Sequence, residues 1–194
     1  YENEECIHCH NPEFSAGLSF APILSGSAYE VSIGNCTDFD ISIPPTYNGR
    51  PVIAIADYGF SECSLIDSLK IPSSIRIIGA YAFKFCDFEL IWDSCPQNTV
   101  IGEYAFSSFG VRDIVLPEGV KSIGEHAFDP SGVTSVTIPD SVTSIGEYAF
   151  SYCEAEIIWG DNPSIVEIAA HTFEVYCGTS LTIPDSVRTI GDDA

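Results

Sequence analysis

The residues best suited to chemistry stand near the start of the chain, in the string Cys6-Ile-His-Cys9-His10. Two thiols three residues apart, followed at once by histidine, match the attachment sequence for c-type haem. The same side chains could supply ligands to zinc, but a structural zinc site needs a fourth ligand and no second Cys-x-x-Cys follows. Haem also needs an apolar pocket, which so short a leader does not offer. Disulfides within the leader or to Cys36 are the favoured interpretation in an exported protein, and zinc and haem stay open.

Eight cysteines occur in the chain, and three of them recur at one phase of a repeating pattern. Cys63, Cys86 and Cys153 each follow a motif phenylalanine by three residues, a position that suits a small buried side chain. Cys95 falls in a turn, and Cys177 is one residue out of phase. Cys63 and Cys86 occupy adjacent repeats, so a disulfide between them is geometrically allowed. The candidates for disulfide bonds are Cys6, Cys9, Cys36, Cys63 and Cys86.

Acidic and aromatic residues also recur once per repeat. The acidic set is Asp57, Glu103, Glu125, Glu147 and Asp192, and the ring set is Tyr58, Tyr81, Tyr104, His126, Tyr148 and His171. A cation would relieve repulsion between stacked carboxylates, so weak Ca²⁺ sites are conceivable, but no calcium-loop motif supports them. We therefore predict no cofactor and interpret the acids as solvated residues at helix starts. For the rings, packing with hydroxyls in water is favoured over a ligand stack.

No set of residues in the chain matches a catalytic motif. Gly-x-Ser-x-Gly, a phosphate loop and His-Glu-x-x-His are all missing, and the four histidines are scattered. His126 and His171 each replace the tyrosine of their repeat, which explains them without catalysis. We expect a protein that is not an enzyme.

The element that must position all these residues is a repeat. Variants of Ile-Gly-Glu-Tyr-Ala-Phe close on Phe60, Phe83, Phe106, Phe128, Phe150 and Phe173, and a further copy begins at Ile190. The spacing of 22 or 23 residues is typical of a solenoid, in which each repeat buries its apolar face against its neighbours. Solenoids commonly serve as binding surfaces or scaffolds, which favours those roles over catalysis.

Each repeat reads as a strand, a turn, a second extended piece and a short helical turn. In Val133–Phe150 the strand alternates inward at Val136 and Ile138, and Pro139 ends it. Gly146 is expected to permit a sharp bend. The inward pairs are Ile41/Ile43, Leu69/Ile71, Leu90/Trp92, Ile114/Leu116, Val136/Ile138, Ile157/Trp159 and Leu181/Ile183. Seven stacked repeats predict one parallel sheet on the order of 30 Å long.

Two repeats have a longer turn, after Trp92 and after Trp159. We interpret each tryptophan as filling the larger space under its turn, with a ligand platform as the alternative. Residues 18–33 alternate like two strands around a short loop and predict a β-hairpin that caps the array.

The chain therefore divides into three parts. Residues 1–16 form a cysteine-containing leader, residues 17–54 the N-terminal cap and opening repeat, and residues 55–194 the array, whose last repeat is incomplete at Ala194. The unmatched end suggests a trimmed array, a continuing one or a partner on that end.

Charge limits the partners. The chain has 28 acidic and 7 basic residues and a formal net charge of -21, which disfavours nucleic acid and anionic membranes and favours basic partners. No apolar run is long enough to span a bilayer. A chain beginning at Tyr1, without methionine and with eight cysteines, is interpreted as an exported product.

Residues that point outward from the predicted strands are the candidates for ligand binding. They are Asp40, Ser68, Lys70, Glu89, Ile91, Asp113, Val115, Ser135, Thr137, Glu156 and Ile158. The face is acidic and rich in hydroxyls, with an apolar stripe at Ile91, Val115 and Ile158. An ordinary solvated sheet face is the alternative.

The repeats resemble those of the BspA-like (bacterial surface protein A-like) leucine-rich repeat family. Residues 111–128 and 133–150 match its pattern closely, and the similarity extends over residues 17–194. The resemblance implies a secreted or cell-surface protein with a role in adhesion to proteins or glycans on host or neighbouring cells. A structural subunit that stacks end to end into a fibre or surface layer, through an uncapped coil, is the main alternative. An accessory module of a larger protein is a third.

Overall fold

Stacked isoleucine and phenylalanine side chains form the centre of the molecule. The computed structural model describes residues 14–93 and 97–194. The motif isoleucines from Ile55 to Ile168 are at most 3% exposed, and the motif phenylalanines from Phe60 to Phe150 are fully buried. Each coil, meaning one full turn of the solenoid, buries these side chains against the coils on either side. The predicted repeat solenoid is confirmed.

The second strand of each coil builds one long sheet. Its eight strands are β1 (Ser19–Ile23), β2 (Ala28–Ser32), β4 (Thr46–Tyr47), β5 (Arg50–Ile55), β7 (Ile77–Ile78), β9 (Thr99–Ile101), β11 (Val120–Ile123) and β13 (Ser144–Ile145). From β2 to β13 the order follows the chain and neighbours are parallel. The parallel register keeps equivalent residues in columns, because each coil advances by one strand spacing of roughly 4.8 Å.

The predicted hairpin cap is confirmed. Strand β1 pairs antiparallel with β2 through a loop that contains a 3-10 turn at Leu24–Gly26. Strand β2 then pairs with β5, so the hairpin covers the first coil. The rings of Phe20 and Tyr47 stack with centroids 4.1 Å apart and strengthen this junction.

The first strand of each coil does not form the single long sheet that the repeat predicted. Strands β3 (Asp40–Ser42), β6 (Ser68–Ile71) and β8 (Glu89–Trp92) form one three-stranded parallel sheet. Strands β10 (Asp113–Val115), β12 (Ser135–Ile138) and β14 (Glu156–Trp159) form another. No pairing joins β8 to β10, so the sheet is split between them.

The last coil also departs from the prediction. Leu181 and Ile183 were expected to form an inward strand pair, but residues 181–183 have no strand and Ile183 is 38% exposed. Only the second element persists there, as β16 (Thr189–Ile190) paired with β15 (Glu167–Ile168). Ile190 is 59% exposed.

The predicted short helical turns are tight non-helical turns instead. Tyr104, for example, has a φ of 52°, in the left-handed region that ends a right-handed helix. Its N–H donates to Glu125 in the next coil at 3.0 Å, and Phe106 donates likewise to Ala127 at 2.8 Å. These backbone groups are therefore satisfied between coils, whereas a helix would satisfy them within one coil.

Close packing between neighbouring coils, rather than a sharp bend, explains the glycines of the motif. A Cβ on Gly124 would lie 2.7 Å from the carbonyl carbon of Gly102, and one on Gly146 would lie 2.6 Å from the Glu125 nitrogen. Neither glycine has a positive φ. The coils approach too closely there for a side chain.

Candidate ligand-binding face

The structure brings the eleven predicted face residues into two outward columns. In the first sheet Asp40, Ser68 and Glu89 lie opposite one another, and Lys70 lies opposite Ile91. The second sheet repeats this arrangement with Asp113, Ser135 and Glu156 in one column and Val115, Thr137 and Ile158 in the other. All eleven are exposed or half-buried. We call these two columns on both sheets the strand face.

Hydrogen bonds fix the acidic column of each sheet in the same way. Ser68 Oγ donates to Asp40 Oδ1 at 2.6 Å, and Ser135 Oγ donates to Asp113 Oδ1 at 2.6 Å. A neutral hydroxyl orients a carboxylate without cancelling its charge. The Glu89 carboxylate makes no hydrogen bond or ion pair with the residues that the structure describes, so the face keeps a negative potential that suits a cationic partner.

The apolar stripe of the strand face is open to solvent. Val115 is 63% exposed, Ile158 41% and Ile91 40%. The inward residues of the same strands pack toward the core: Ile114 of β10 is 3% exposed, Ile157 of β14 is 6% exposed, and Leu90 and Trp92 of β8 are half-buried. The stripe therefore lies on strands that the core holds in place.

A cleft marks the split between the two sheets. It has a volume of about 470 Å³ and is lined by Leu90, Ile91 and Trp92 on one side and by Ile114 and Val115 on the other. Glu89 and Asp113 stand at one end of it. The Cα atoms of β8 and β10 lie mostly more than 8 Å apart, against roughly 4.8 Å for paired strands.

Two buried phenylalanines explain the separation. Phe109 takes the position that cysteine holds in other repeats, and Phe88 takes the one that Ile66 and Val133 hold. Their rings meet edge to face with centroids 5.7 Å apart, and both are at most 1% exposed. Two large rings between neighbouring coils occupy space that small side chains would leave to the strands, so the coils diverge here.

A second split follows the same rule. Beyond β14 the next coil lacks its first strand, and Tyr176 occupies the cysteine position of its repeat, three residues after Phe173. The Tyr176 hydroxyl donates to the Ala155 carbonyl. Here, however, Trp159 Nε1 donates to the Thr182 carbonyl at 2.7 Å and joins the two sides. No such bond links Trp92 to Val115, the equivalent pair at the first cleft, both of which the structure describes.

Both tryptophans therefore lie at splits in the sheet. Each is half-buried against the core and lines a cavity. Sequence reasoning interpreted them as fillers and did not foresee the splits. The available signal was the pairing of a tryptophan in one repeat with an aromatic near the cysteine position of the next, at Phe109 and Tyr176.

The tyrosine and histidine column forms one continuous stack. Successive rings from Tyr58 to His171 lie 4.5 to 4.9 Å apart and within 8° of parallel. Desolvation raises the pKa of Tyr81 and Tyr104, and neighbouring charges such as the Glu103 carboxylate add to the increase. His126 Nδ1 lies 2.6 Å from Asp129 Oδ2. The column thus has packing and local hydrogen bonds that account for its residues.

The described cysteines are thiols. Cys36, Cys63, Cys86, Cys153 and Cys177 are unbonded to one another. Cys86 Sγ donates to the Phe60 carbonyl at 2.9 Å, and burial raises the pKa of this thiol to about 12. Burial also raises the pKa of Cys153. The buried pair therefore behaves as the small core residues that the repeat predicted.

The candidate metal ligands fall into those of the leader and those of the described residues. Cys6, Cys9, His10 and Cys95 lie outside the described residues, so the leader alternatives stay predictions. Within the described ranges, no three His, Cys, Asp or Glu side chains converge to hold a metal ion. The same ranges contain no helix with the length and apolar character to cross a membrane.

The fold and the face define a class of protein. Parallel strand columns, a 22- or 23-residue period and stacked core phenylalanines make this a leucine-rich repeat solenoid. The chain belongs to the BspA-type leucine-rich repeat family, whose repeats match residues 35–155 and 99–194 in six copies. The resemblance found in the sequence is confirmed. No curated protein matches the chain.

Solved structures show the same fold. A leucine-rich repeat protein of T. pallidum is 22% identical, with a TM-score of 0.62 over 91% of this chain and 79% of that one. One from Bacteroides ovatus ATCC 8483 is 27% identical, with a TM-score of 0.64 over 91% of this chain and 54% of that one. The pneumococcal vaccine antigen PcpA is 21% identical, with a TM-score of 0.52 over 90% and 44%. The chain spans about half the length of the Bacteroides protein.

Proposed function

We propose that this chain is a non-enzymatic extracellular module that binds a protein or glycan ligand on host or neighbouring cells through the strand face. The observation that carries the proposal is the open apolar stripe of Ile91, Val115 and Ile158, on strands whose inward side chains are buried or half-buried against the core. A rigid, partly apolar patch with a charged border is the usual composition of a recognition surface. An acidic border favours basic ligands.

Family membership supports the same assignment. Leucine-rich repeat solenoids offer extended surfaces for partners, and one protein of similar fold is described as a vaccine antigen. The inference from fold to function is one of analogy, so the strand face itself must be tested.

The test is a binding screen of the chain against immobilised matrix proteins and glycans, by biolayer interferometry. Val115→Glu should weaken binding of any hit by about tenfold or more, because it places a charge within the apolar stripe. Val100→Glu is the matched control, since Val100 is 43% exposed but lies on the other sheet, in β9. Equal loss in both variants, or no hit, would contradict the proposal.

A structural role is the second candidate, and the exposed last coil favours it. Ile190 is 59% and Ile183 38% exposed, beside the unpaired outer edge of β16. Such an edge can pair with another chain. Sedimentation across a dilution series should then show polymers that Ile183→Lys and Ile190→Lys disrupt. A monomer at every concentration would exclude this candidate.

A further inference from the structure

We infer that the cleft between β8 and β10 binds an extended peptide strand, in which a lysine or arginine is followed by β-branched residues. This inference rests on the proposed function and names its site, its mode of recognition and its class of ligand. Four observations carry it: the space between the strands, their unpaired edges, the chemistry of the lining and the contrast with the second split.

The two strands stand farther apart than a strand pair. Paired strands lie roughly 4.8 Å apart, whereas β8 and β10 are unpaired and most of their Cα atoms lie more than 8 Å from one another. The cleft volume of about 470 Å³ is within the range of known ligand pockets.

Both edges of the cleft can pair. Strand β8 pairs on one side only, with β6, and β10 pairs on one side only, with β12. Their other edges face each other across the cleft with no strand between them. Adding a strand to an exposed edge is an established mode of peptide recognition, in which backbone hydrogen bonds supply affinity and alternate side chains supply specificity.

The cleft is held open before any ligand arrives. Phe88 and Phe109 are buried between the two coils and keep them apart. A preformed gap spares the ligand the cost of separating the coils. Backbone contacts confirm that the divergence is local, because Gly110 N–H still donates to the Cys86 carbonyl at 2.7 Å between the same two coils.

The lining specifies the side chains of the ligand. A residue inserted between Glu89 and Asp113 would meet two carboxylates, which favours lysine or arginine. The next outward position would lie between Ile91 and Val115, which favours an apolar or β-branched residue. Ligand side chains that point inward would face Leu90 and Ile114, so these positions also favour apolar or β-branched residues. The ligand pattern is therefore basic, then apolar at the next three positions.

The second split does not offer this site. There the Trp159 indole donates to the Thr182 carbonyl and joins the two sides, and residues 181–183 of the following coil form no strand that could present an edge. The first cleft has strands on both sides and no such bridge. Matched controls come from outside the strand face, because Ile77 in β7 is 45% exposed and Glu167 in β15 is exposed.

The experiment uses the full chain and a fluorescein-labelled peptide, Ser-Lys-Val-Val-Val-Ser, in a fluorescence anisotropy titration. Ile91→Lys should weaken binding by about tenfold or more, and Glu89→Gln by about threefold, the size expected of an exposed charge pair. Ile77→Lys and Glu167→Gln should leave the Kd within about twofold of the unmutated chain, because Ile77 in β7 and Glu167 in β15 are exposed but lie outside the strand face. A peptide with proline in place of the central valine should bind far more weakly, because proline has no backbone N–H to donate to the neighbouring strand.

Amide hydrogen exchange provides the readout specific to strand insertion. Bound peptide should slow exchange in β8 and β10 and leave β14 unchanged. The inference is overturned if Ile77→Lys is as damaging as Ile91→Lys, if the proline peptide binds equally well, or if no binding occurs at millimolar peptide. Should the peptide fail while Val115→Glu still abolishes binding of a matrix ligand, strand insertion is wrong and the binding face stands. Should the matrix screen also be negative, both fall.

Discussion

At the scale of single residues, the column of stacked tyrosine and histidine rings holds its residues in a backbone conformation that side chains normally avoid. Six successive tyrosine or histidine residues have φ values between 52° and 57°, where a side chain normally costs about 1 kcal/mol or more. Stacking between coils and hydrogen bonds to the next coil offset that cost. Sequence reasoning placed these residues on a helix because their spacing and flanking acids suit one.

Two substitutions at Tyr104 distinguish the contribution of the ring to stability from that of the backbone conformation. Both Tyr104→Ala and Tyr104→Gly lose the stacked ring, but glycine adopts a positive φ without strain. Tyr104→Gly should therefore be the more stable of the two by about 1 kcal/mol, measured by urea unfolding. At Glu103, whose φ is not positive, the order should reverse and alanine should be the better residue. The same order at both sites would contradict the account.

Cys86 gives a prediction for alkaline pH. Burial raises the pKa of this thiol from 9.0 to about 12, so between these values the unfolded chain loses a proton that the folded chain keeps. The free energy of unfolding should then fall as pH rises, by up to about 1.4 kcal/mol per pH unit for this group. Below pH 9 the contribution of the Cys86 thiol to the free energy of unfolding does not change with pH.

Comparison with Cys86→Ala isolates that contribution. The stability advantage of the unmutated chain over Cys86→Ala should shrink between pH 8 and pH 10.5, by about 2 kcal/mol at the upper limit. Ser151→Ala is the control, because Ser151 is also buried but its hydroxyl does not titrate in this range, so its curve should run parallel to that of the unmutated chain. Parallel pH curves for Cys86→Ala and the unmutated chain would exclude the explanation.

At the scale of elements, the split in the outer sheet is the feature that defines the binding face. The strands are placed where alternation of apolar residues predicts them, but alternation does not say whether neighbouring strands pair. Two large rings at Phe88 and Phe109 decide that. The same repeats pair without interruption on the other sheet, through β7, β9 and β11.

Smaller residues at those two positions should close the cleft. In the double variant Phe88→Val and Phe109→Cys, each position takes a residue type that other repeats carry there. Amide exchange in β8 and β10 should slow as the strands pair, even though loss of buried ring area lowers stability overall. Phe106→Ala removes a ring from the core column instead and should speed exchange generally. Faster exchange in β8 for both variants would refute the role of the two rings.

At the scale of the whole molecule, charge is the dominant property. A net charge of -21 on 194 residues repels the compact state and directs basic partners to the surface. The carboxylates of the strand face add to this field, because none of them forms an ion pair with a described lysine or arginine, and Lys70 of the same face pairs with Asp93 at 3.1 Å.

Salt should therefore stabilise the protein. Raising NaCl from 20 mM to 500 mM shortens the Debye length from about 20 Å to about 4 Å, so the Tm should rise by several degrees. CaCl₂ and MgCl₂ at equal ionic strength should act alike if the acidic column is only solvated. A much larger shift with CaCl₂ would reveal the calcium sites considered from the sequence. A Tm that falls with NaCl would contradict the charge argument.

The sequence by itself determined the repeat, the core columns, the N-terminal hairpin and the eleven outward residues, because a fixed period and an alternating pattern leave little freedom in where side chains point. It did not determine the split sheet, the missing last strand or the left-handed turns. Those depend on how neighbouring coils fit together: Phe88 against Phe109, the Tyr104 N–H on the Glu125 carbonyl, and glycine against glycine at positions 102 and 124. Such contacts exist only between coils, so only the tertiary structure could decide them.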